Sequence, residues 1–157
     1  MRDCKSGMEI SEALAEATYK SPEEYFQSLC KLDEECESLR DTQEKLEAGL
    51  EGATVLKEDK VDATPTGDDQ DTYIDIWELR DELRCKERWL RRFQLNVASE
   101  IHYLDSRISR IILSKRYIVG KLWKDIEKDL SYSPRRVMDL HKKALKDFKE
   151  TFSDKFN

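Results

Sequence analysis

The stretch "RYIVGKLWKDIEKDLSYSPRRVMDLHKKAL" spans residues 116–145 and contains two helix patterns joined by a short turn. The first pattern, around Trp123 and Ile126, repeats apolar residues at helical spacing. The letters "SYS" supply the turn. Ser133 and Pro134 then form a typical helix start, because serine caps the free amides and proline fits the first helical position. The stretch therefore predicts a short helix, a tight turn and a second, capped helix.

The helix before this stretch begins near Arg107 and is expected to stop at Gly120. Together the three helices form a predicted C-terminal domain over residues 107–157. Its apolar residues recur at helical spacing, so one side of each helix is expected to be buried. The predicted inward-facing residues are Ile108, Ile111, Ile112 and Tyr117, then Leu122, Trp123, Ile126 and Leu130, and finally Val137, Leu140, Ala144, Leu145 and Phe148.

This order of helix, turn and capped helix is typical of a helix-turn-helix. The second helix of that motif lies in the DNA major groove, where its first residues meet base edges. Guanidinium groups can pair with guanine or clamp phosphates. The predicted DNA-binding residues are Ser133, Arg135, Arg136, Asp139, Lys142, Lys143 and Lys146. The alternative is a three-helix knob that caps a coiled coil.

Charge is distributed unevenly along the 157-residue chain, whose formal net charge is -6. Residues 1–72 carry 20 acidic and 8 basic side chains, a net of -12. Residues 73–106 carry 7 acidic and 6 basic side chains, a net of -1. Residues 107–157 carry 7 acidic and 14 basic side chains, a net of +7. Such asymmetry suggests a basic region that meets a polyanion. Solvated helix faces would give the same counts.

Two long helices are predicted upstream of the basic region. "SPEE" at residues 21–24 is a strong helix start with a possible capping box at Ser21 and Glu24. A heptad seam then predicts a helix over residues 21–50, an acidic flexible linker over 51–72 and a second helix from about residue 72. The first seam comprises Tyr25, Leu29, Leu32, Cys36, Leu39, Gln43, Leu46 and Leu50, and the second Ile76, Leu79, Leu83, Lys86, Leu90, Phe93, Val97, Ile101, Leu104 and Ile108.

Matching seams over residues 21–106 favour a coiled-coil hairpin with antiparallel helices, although the linker is long enough for a parallel pair. A second apolar stripe on the second helix comprises Trp77, Cys85, Trp89 and Tyr103. One partner helix cannot cover both stripes, which favours a homo-oligomer, with a dimer preferred. In the alternative, the weakly patterned segment at residues 1–20 folds over the stripe.

The C-terminal stretch resembles a known group of phage proteins. The signature is "L-x-x-RY-x-x-G", then "W-x-x-I" ending in "L-x-YS", then "H-x-x-AL". Its positions are Leu113, Arg116, Tyr117, Gly120, Trp123, Ile126, Leu130, Tyr132, Ser133, His141, Ala144 and Leu145. It resembles the C-terminal domain of the phage-encoded ArpU and RinA transcription regulators and of a related phage family of unassigned function. Those domains are similar to region 4 of bacterial sigma factors.

The resemblance implies an all-α fold: a long helical hairpin or coiled coil followed by a three-helix, sigma region 4-like helix-turn-helix domain. Two positions depart from the family pattern. Glu127 stands where alanine is usual, and Ser131 stands where glycine is usual. Glycine at the second position permits a left-handed turn residue, and another residue there costs on the order of 1 kcal/mol. The property that these departures put most in question is DNA affinity.

The resemblance implies a phage or prophage DNA-binding regulator, similar to a late-gene activator, that acts on double-stranded DNA in the cytoplasm of the bacterial host. The resemblance to sigma region 4 also permits contact with host RNA polymerase, instead of or besides DNA. A small terminase-like packaging adaptor and a coiled-coil interaction module without DNA affinity are the alternatives. We expect no enzyme, because no carboxylate pair, phosphate loop or nucleophile–base set stands out. We also expect no metal or other cofactor and no membrane partner, since the four cysteines lack a C-x-x-C and no long apolar run occurs.

Overall fold

The computed structural model describes residues 19–57 and 67–156, and its regular secondary structure there is entirely helical. This confirms the all-α prediction. The α-helices are α1 (Pro22–Lys57), α2 (Gly67–His102), α3 (Arg107–Leu113), α4 (Trp123–Leu130) and α5 (Pro134–Thr151). A π-helical segment, Ser114–Ile118, continues α3, and a 3-10 turn, Ser153–Lys155, follows α5. None of these helices combines the length and apolar character needed to cross a membrane.

Helix α1 begins at the predicted capping sequence. The Ser21 hydroxyl accepts a hydrogen bond from the Glu24 amide at 3.3 Å. The Glu24 carboxylate accepts one from the Lys20 amide at 2.8 Å, one residue earlier than the capping box would place it. These bonds satisfy amides that have no partner inside the helix. The predicted start of α1 is therefore correct, and the local sequence alone specifies it.

Both long helices exceed their predicted bounds. Helix α1 continues beyond residue 50 to Lys57, and α2 begins at Gly67 instead of near residue 72. Residues 51–57 and 67–72 of the predicted linker are therefore helical, and residues 58–66 lie outside the described residues, as does the predicted segment before Tyr19. The physical reason is length: a helix already formed gains a hydrogen bond for each added residue, so weakly patterned flanks join it.

Helices α1 and α2 run antiparallel. Tyr25 donates a hydrogen bond to Glu100 at 2.8 Å, and Arg40 forms an ion pair with Glu87 at 2.6 Å. Glu47 near the far end of α1 pairs with Arg80. Partner numbers in α2 fall as those in α1 rise, which requires opposite helix directions.

The predicted seam of α1 is buried near the C-terminal helices and partly exposed at the far end, whereas Ile76 at the far end of the α2 seam is buried. Tyr25, Leu29 and Cys36 are buried, whereas Leu46 is 45% exposed. The heptad pattern is therefore correct for the half of α1 that has neighbours on several sides. Beyond it, α2 is the only described helix that packs against α1, which leaves Leu46 partly in solvent.

The C-terminal helices share one core with this end of the long pair. Phe26 is fully buried, although it lies off the predicted seam. Its ring stacks on Tyr117 with centroids 4.5 Å apart and lies 4.9 Å from the ring of Phe148 on α5. Leu113 and Val97 belong to the same cluster. The sequence missed Phe26 because its partners come from residues about 90 to 120 positions later.

The inward stripe of α5 is correct in full, since Val137, Leu140, Ala144, Leu145 and Phe148 are all buried. Ile112 and Ile126 are also fully buried. The prediction that Leu122 faces inward is wrong, since this residue is 66% exposed. Leu122 is the extended residue that precedes α4 and does not belong to that helix. Ile108 and Ile111 are only half-buried.

The predicted second stripe on α2 is not an open face. Cys85 is buried and Trp89 is half-buried, whereas Trp77 and Tyr103 are 67% and 73% exposed. These four residues therefore do not form one continuous apolar surface, and the homo-oligomer stays a prediction.

Candidate nucleic-acid interface

Helix α5 has one buried and one open side. The open side carries the predicted DNA-binding residues, and each of them is exposed. Arg135, Arg136 and Asp139 lie in its first two turns, followed by Lys142, Lys143 and Lys146. Within the described residues, Lys146 makes the only ion pair of the group, a 3.7 Å contact with Glu150, one turn later on the same helix. The other cations of this side are free to meet an external anion.

The start of α5 is built by local bonds. The Ser133 hydroxyl accepts a hydrogen bond from the Arg136 amide at 3.3 Å, and Pro134 occupies the first helical position. Ser133 thus acts as a cap while remaining exposed. The cap fixes the backbone direction of the residues that follow, so Arg135 and Arg136 project from an ordered first turn.

The turn between α4 and α5 contains a strained residue. Ser131 adopts φ 54° and ψ 39°, and it is the only residue other than glycine with positive φ in the described residues. The Tyr132 amide bonds to the Glu127 carbonyl, and the Ser131 amide bonds to the Lys128 carbonyl, both at 3.2 Å. This is a Schellman motif with serine at the position that glycine usually occupies. Ser131 thus adopts the left-handed conformation that glycine would permit at this position. Gly120, with φ 73°, ends the preceding helical segment as predicted.

Four residues of the sequence signature form one contact network behind the interface. The Arg116 guanidinium lies over the Trp123 ring, 4.8 Å from its centroid, and donates to the Lys121 carbonyl at 3.0 Å. His141 packs edge-on against Trp123 with centroids 4.7 Å apart. The Tyr117 hydroxyl lies 3.0 Å from His141 Nε2. This network joins the π-helical segment, α4 and α5, so these signature residues hold the three elements together and do not face outward.

Burial affects the titration of this network. Desolvation lowers the pKa of His141, an effect that nearby Arg116 reinforces and Glu23 opposes. Burial also raises the pKa of Tyr117 to about 12. The imidazole is therefore held neutral beside the tyrosine hydroxyl. Protonation would place a buried charge close to Arg116, so the network is most stable above the ordinary histidine pKa and weakens as the pH falls below it.

Asp129 on α4 binds two lysines from the segment before that helix. Its carboxylate accepts hydrogen bonds from Lys115 at 2.5 Å and from Lys121 at 2.6 Å. These bonds, in that order of importance, lower the pKa of Asp129 to about 2. Lys115 and Lys121 are therefore occupied within the molecule, which distinguishes them from the free cations of α5. No sequence motif marks this cluster, because its lysines lie outside the helix that carries Asp129.

Two exposed apolar residues beside the basic side were also missed. Tyr132 is 43% exposed in the turn, and Met138 is 40% exposed one turn before Lys142. Apolar groups next to cations can contact thymine methyls or sugar carbons in a groove. The signal in the sequence was the position of Met138, outside the apolar stripe of α5.

A cleft of about 350 Å³ lies elsewhere, between the end of α2 and the π-helical segment. None of the predicted DNA-binding residues lines it. Its walls comprise Ala98, Ile101, His102, Arg110, Ile111, Ser114, Lys115 and Val119. Arg110 is already engaged by the Leu104 and Asp105 carbonyls, and Lys115 by Asp129. Within the described residues, no group of three or more His, Cys, Asp or Glu side chains could hold a metal ion.

Comparisons of this chain with protein-family models, with curated proteins and with solved structures found no match. The physical properties of the open side of α5 therefore have to carry the functional argument.

Proposed function

We propose that α4, the Ser131 turn and α5 form a sigma region 4-like helix-turn-helix, and that the protein is a phage or prophage transcription regulator that binds double-stranded DNA. The antiparallel pair α1–α2 would be the helical hairpin on which this unit is mounted. One observation carries the proposal: among the described residues, the cations on the open side of α5 make a single ion pair, that of Lys146, whereas Arg40 and Lys86 of the hairpin seam are paired. Exposed cations without a partner can neutralise phosphates, and the counterions that the duplex then releases favour binding.

In this proposal, the residues of α5 divide into two roles. Arg135 and Arg136 lie in the first turn, which meets base edges in a major groove. Lys142 and Lys143 lie about two turns later and would contact phosphates. Ser133 orders the first turn, and the contact network around His141 fixes the angle between α4 and α5. The acidic N-terminal part of the chain would stay away from the duplex, and no catalytic step or cofactor is required.

The proposed assignment also includes a bacterial host cytoplasm as the location, self-association through the long helices and contact with host RNA polymerase. The resemblance to sigma region 4 supports the last of these. The alternative of a packaging adaptor differs in its assembly, since a packaging adaptor forms a closed ring of many subunits. Light scattering on the intact protein would distinguish a ring from a dimer.

The test is fluorescence anisotropy with the intact chain, first against a random-sequence duplex and then against sequences selected from a randomised pool. We expect Arg135→Ala and Arg136→Ala each to cost about 1–3 kcal/mol on the selected sequence and to relax its specificity at one position. Lys142→Ala should weaken binding to all duplexes alike and reduce the log–log salt slope by about one.

Lys149→Ala is the matched control, because this exposed lysine lies on the same helix about 20 Å from its first turn. It should leave affinity for the selected sequence almost unchanged. Absence of binding at low salt, or equal losses for Lys149→Ala and Arg135→Ala, would overturn the proposed interface.

A further inference from the structure

Charges along the α1–α2 seam are neutralised within the chain. Arg40 pairs with Glu87 at 2.6 Å, and Lys86 pairs with Glu35 at 3.1 Å. These pairs neutralise the charged side chains of the seam and leave little net charge there for an external partner. The charged side chains on the outer sides of both helices are not paired in this way.

The outer side of α1 carries five exposed carboxylates, which form no ion pair in the described structure. We name them the acidic ridge: Asp33, Glu34, Glu37, Asp41 and Glu44. The outer side of α2 carries four exposed arginines over about 12 Å of helix. We name them the arginine ridge: Arg84, Arg88, Arg91 and Arg92. Only Arg88 makes a side-chain hydrogen bond, to Cys85 Sγ at 3.4 Å, and none of the four meets a carboxylate in the described residues.

The two ridges occupy the same axial position along the α1–α2 pair. The Arg40–Glu87 and Lys86–Glu35 pairs place the middle of α1 beside the middle of α2. Residues 33–41 therefore lie beside residues 84–92. Each ridge points away from the seam, so they cannot neutralise each other within one molecule. A second copy that points in the same direction would bring its acidic ridge beside the arginine ridge with no axial offset.

The surroundings of the arginine ridge favour a protein partner over a nucleic acid. Leu95, one turn past Arg91, is 69% exposed, and Trp77, two turns before Arg84, is 67% exposed. Arginine, tryptophan and other large apolar residues together are typical of protein interfaces, in which a few such residues supply most of the binding energy. The cations are all arginines, whose guanidinium groups bind carboxylates through two parallel hydrogen bonds.

We infer that the arginine ridge of α2 binds the acidic ridge of α1 from a second copy of this chain. The inference locates the self-association included in the proposed function, and it does not depend on DNA binding. The contact would be made of several charge pairs, with Trp77 and Leu95 as apolar anchors. Exposed charge pairs are screened by salt, so the association should weaken as ionic strength rises.

The test is sedimentation velocity on the intact chain without DNA. We expect reversible dimers or larger species that dissociate at high salt. Arg88→Glu combined with Arg91→Glu should raise the dissociation constant by about tenfold or more, because like charges then face each other. Glu34→Arg combined with Glu37→Arg should do the same. Mixing the two double variants should restore association, since each then presents a complementary ridge to the other.

Circular dichroism would verify that both double variants fold. Lys142→Glu combined with Lys143→Glu reverses two charges on α5 and should leave self-association unchanged while abolishing DNA binding. A monomer at every concentration, or association that the ridge reversals leave unaltered, would overturn the inference. The inference would also fail if the mixed variants did not associate. It would fail as well if the arginine reversals weakened only DNA affinity, because phosphates would then be the partner of the arginine ridge. Failure of DNA binding alone would contradict the proposed function and leave this inference standing.

Discussion

Helices α1 and α5 begin with the same device in different surroundings. Ser21–Pro22 and Ser133–Pro134 each place a capping hydroxyl before a proline, and both hydroxyls accept amide bonds at 3.3 Å. In α1, the next residues bury aromatic rings in the shared core. In α5, the first turn is exposed and basic. The comparison teaches that the cap only starts a helix. The residues after it decide whether the helix becomes scaffold or binding surface.

The largest expected effect tests the scaffold side of this comparison. Phe26→Ala removes a fully buried ring that stacks on Tyr117, so we expect a loss of about 3–5 kcal/mol in the free energy of unfolding. Urea denaturation measures it. The control is Gln27→Ala at the exposed neighbouring position, which should change stability by less than about 0.5 kcal/mol. Similar losses for the two variants would show that the shared core is not formed as described.

A smaller effect separates the two caps. Ser21→Ala and Ser133→Ala should each cost about 0.5–2 kcal/mol of stability, because each removes one amide partner. Only Ser133→Ala should also weaken DNA binding, since Arg135 and Arg136 depend on the first turn that it orders. Thermal denaturation and anisotropy on both variants provide the comparison. Equal DNA affinities would mean that the cap of α5 does not position the proposed interface.

The smallest effect concerns the turn before α5. Ser131 is strained because its Cβ atom disfavours the left-handed conformation, which glycine adopts freely. Ser131→Gly should therefore stabilise the protein by up to about 1 kcal/mol. Ser131→Ala is the control and should not stabilise it, because alanine keeps the strain of a Cβ atom. Thermal denaturation of the three proteins decides the matter. A stability gain in alanine equal to that in glycine would assign the effect to the loss of the hydroxyl.

Local chemistry explains which predictions were correct. The caps at Ser21 and Ser133 and the stop at Gly120 each depend on bonds within about six residues. The buried stripe of α5 follows from helical periodicity. The same periodicity predicted which side of α5 is exposed. Whether this open side binds DNA stays a prediction, since the exposure and free charge of its residues support it without testing it.

The sequence by itself therefore determined the helical class, the places where α1 and α5 start, and which side of α5 is open. Only the tertiary structure decided that Phe26 joins the core, that Cys85 is covered while Trp77 is open, and that the two charged ridges share one axial position. The physical reason is distance along the chain. Caps and periodicity act between near neighbours, whereas burial and charge pairing depend on residues that only the antiparallel packing brings together.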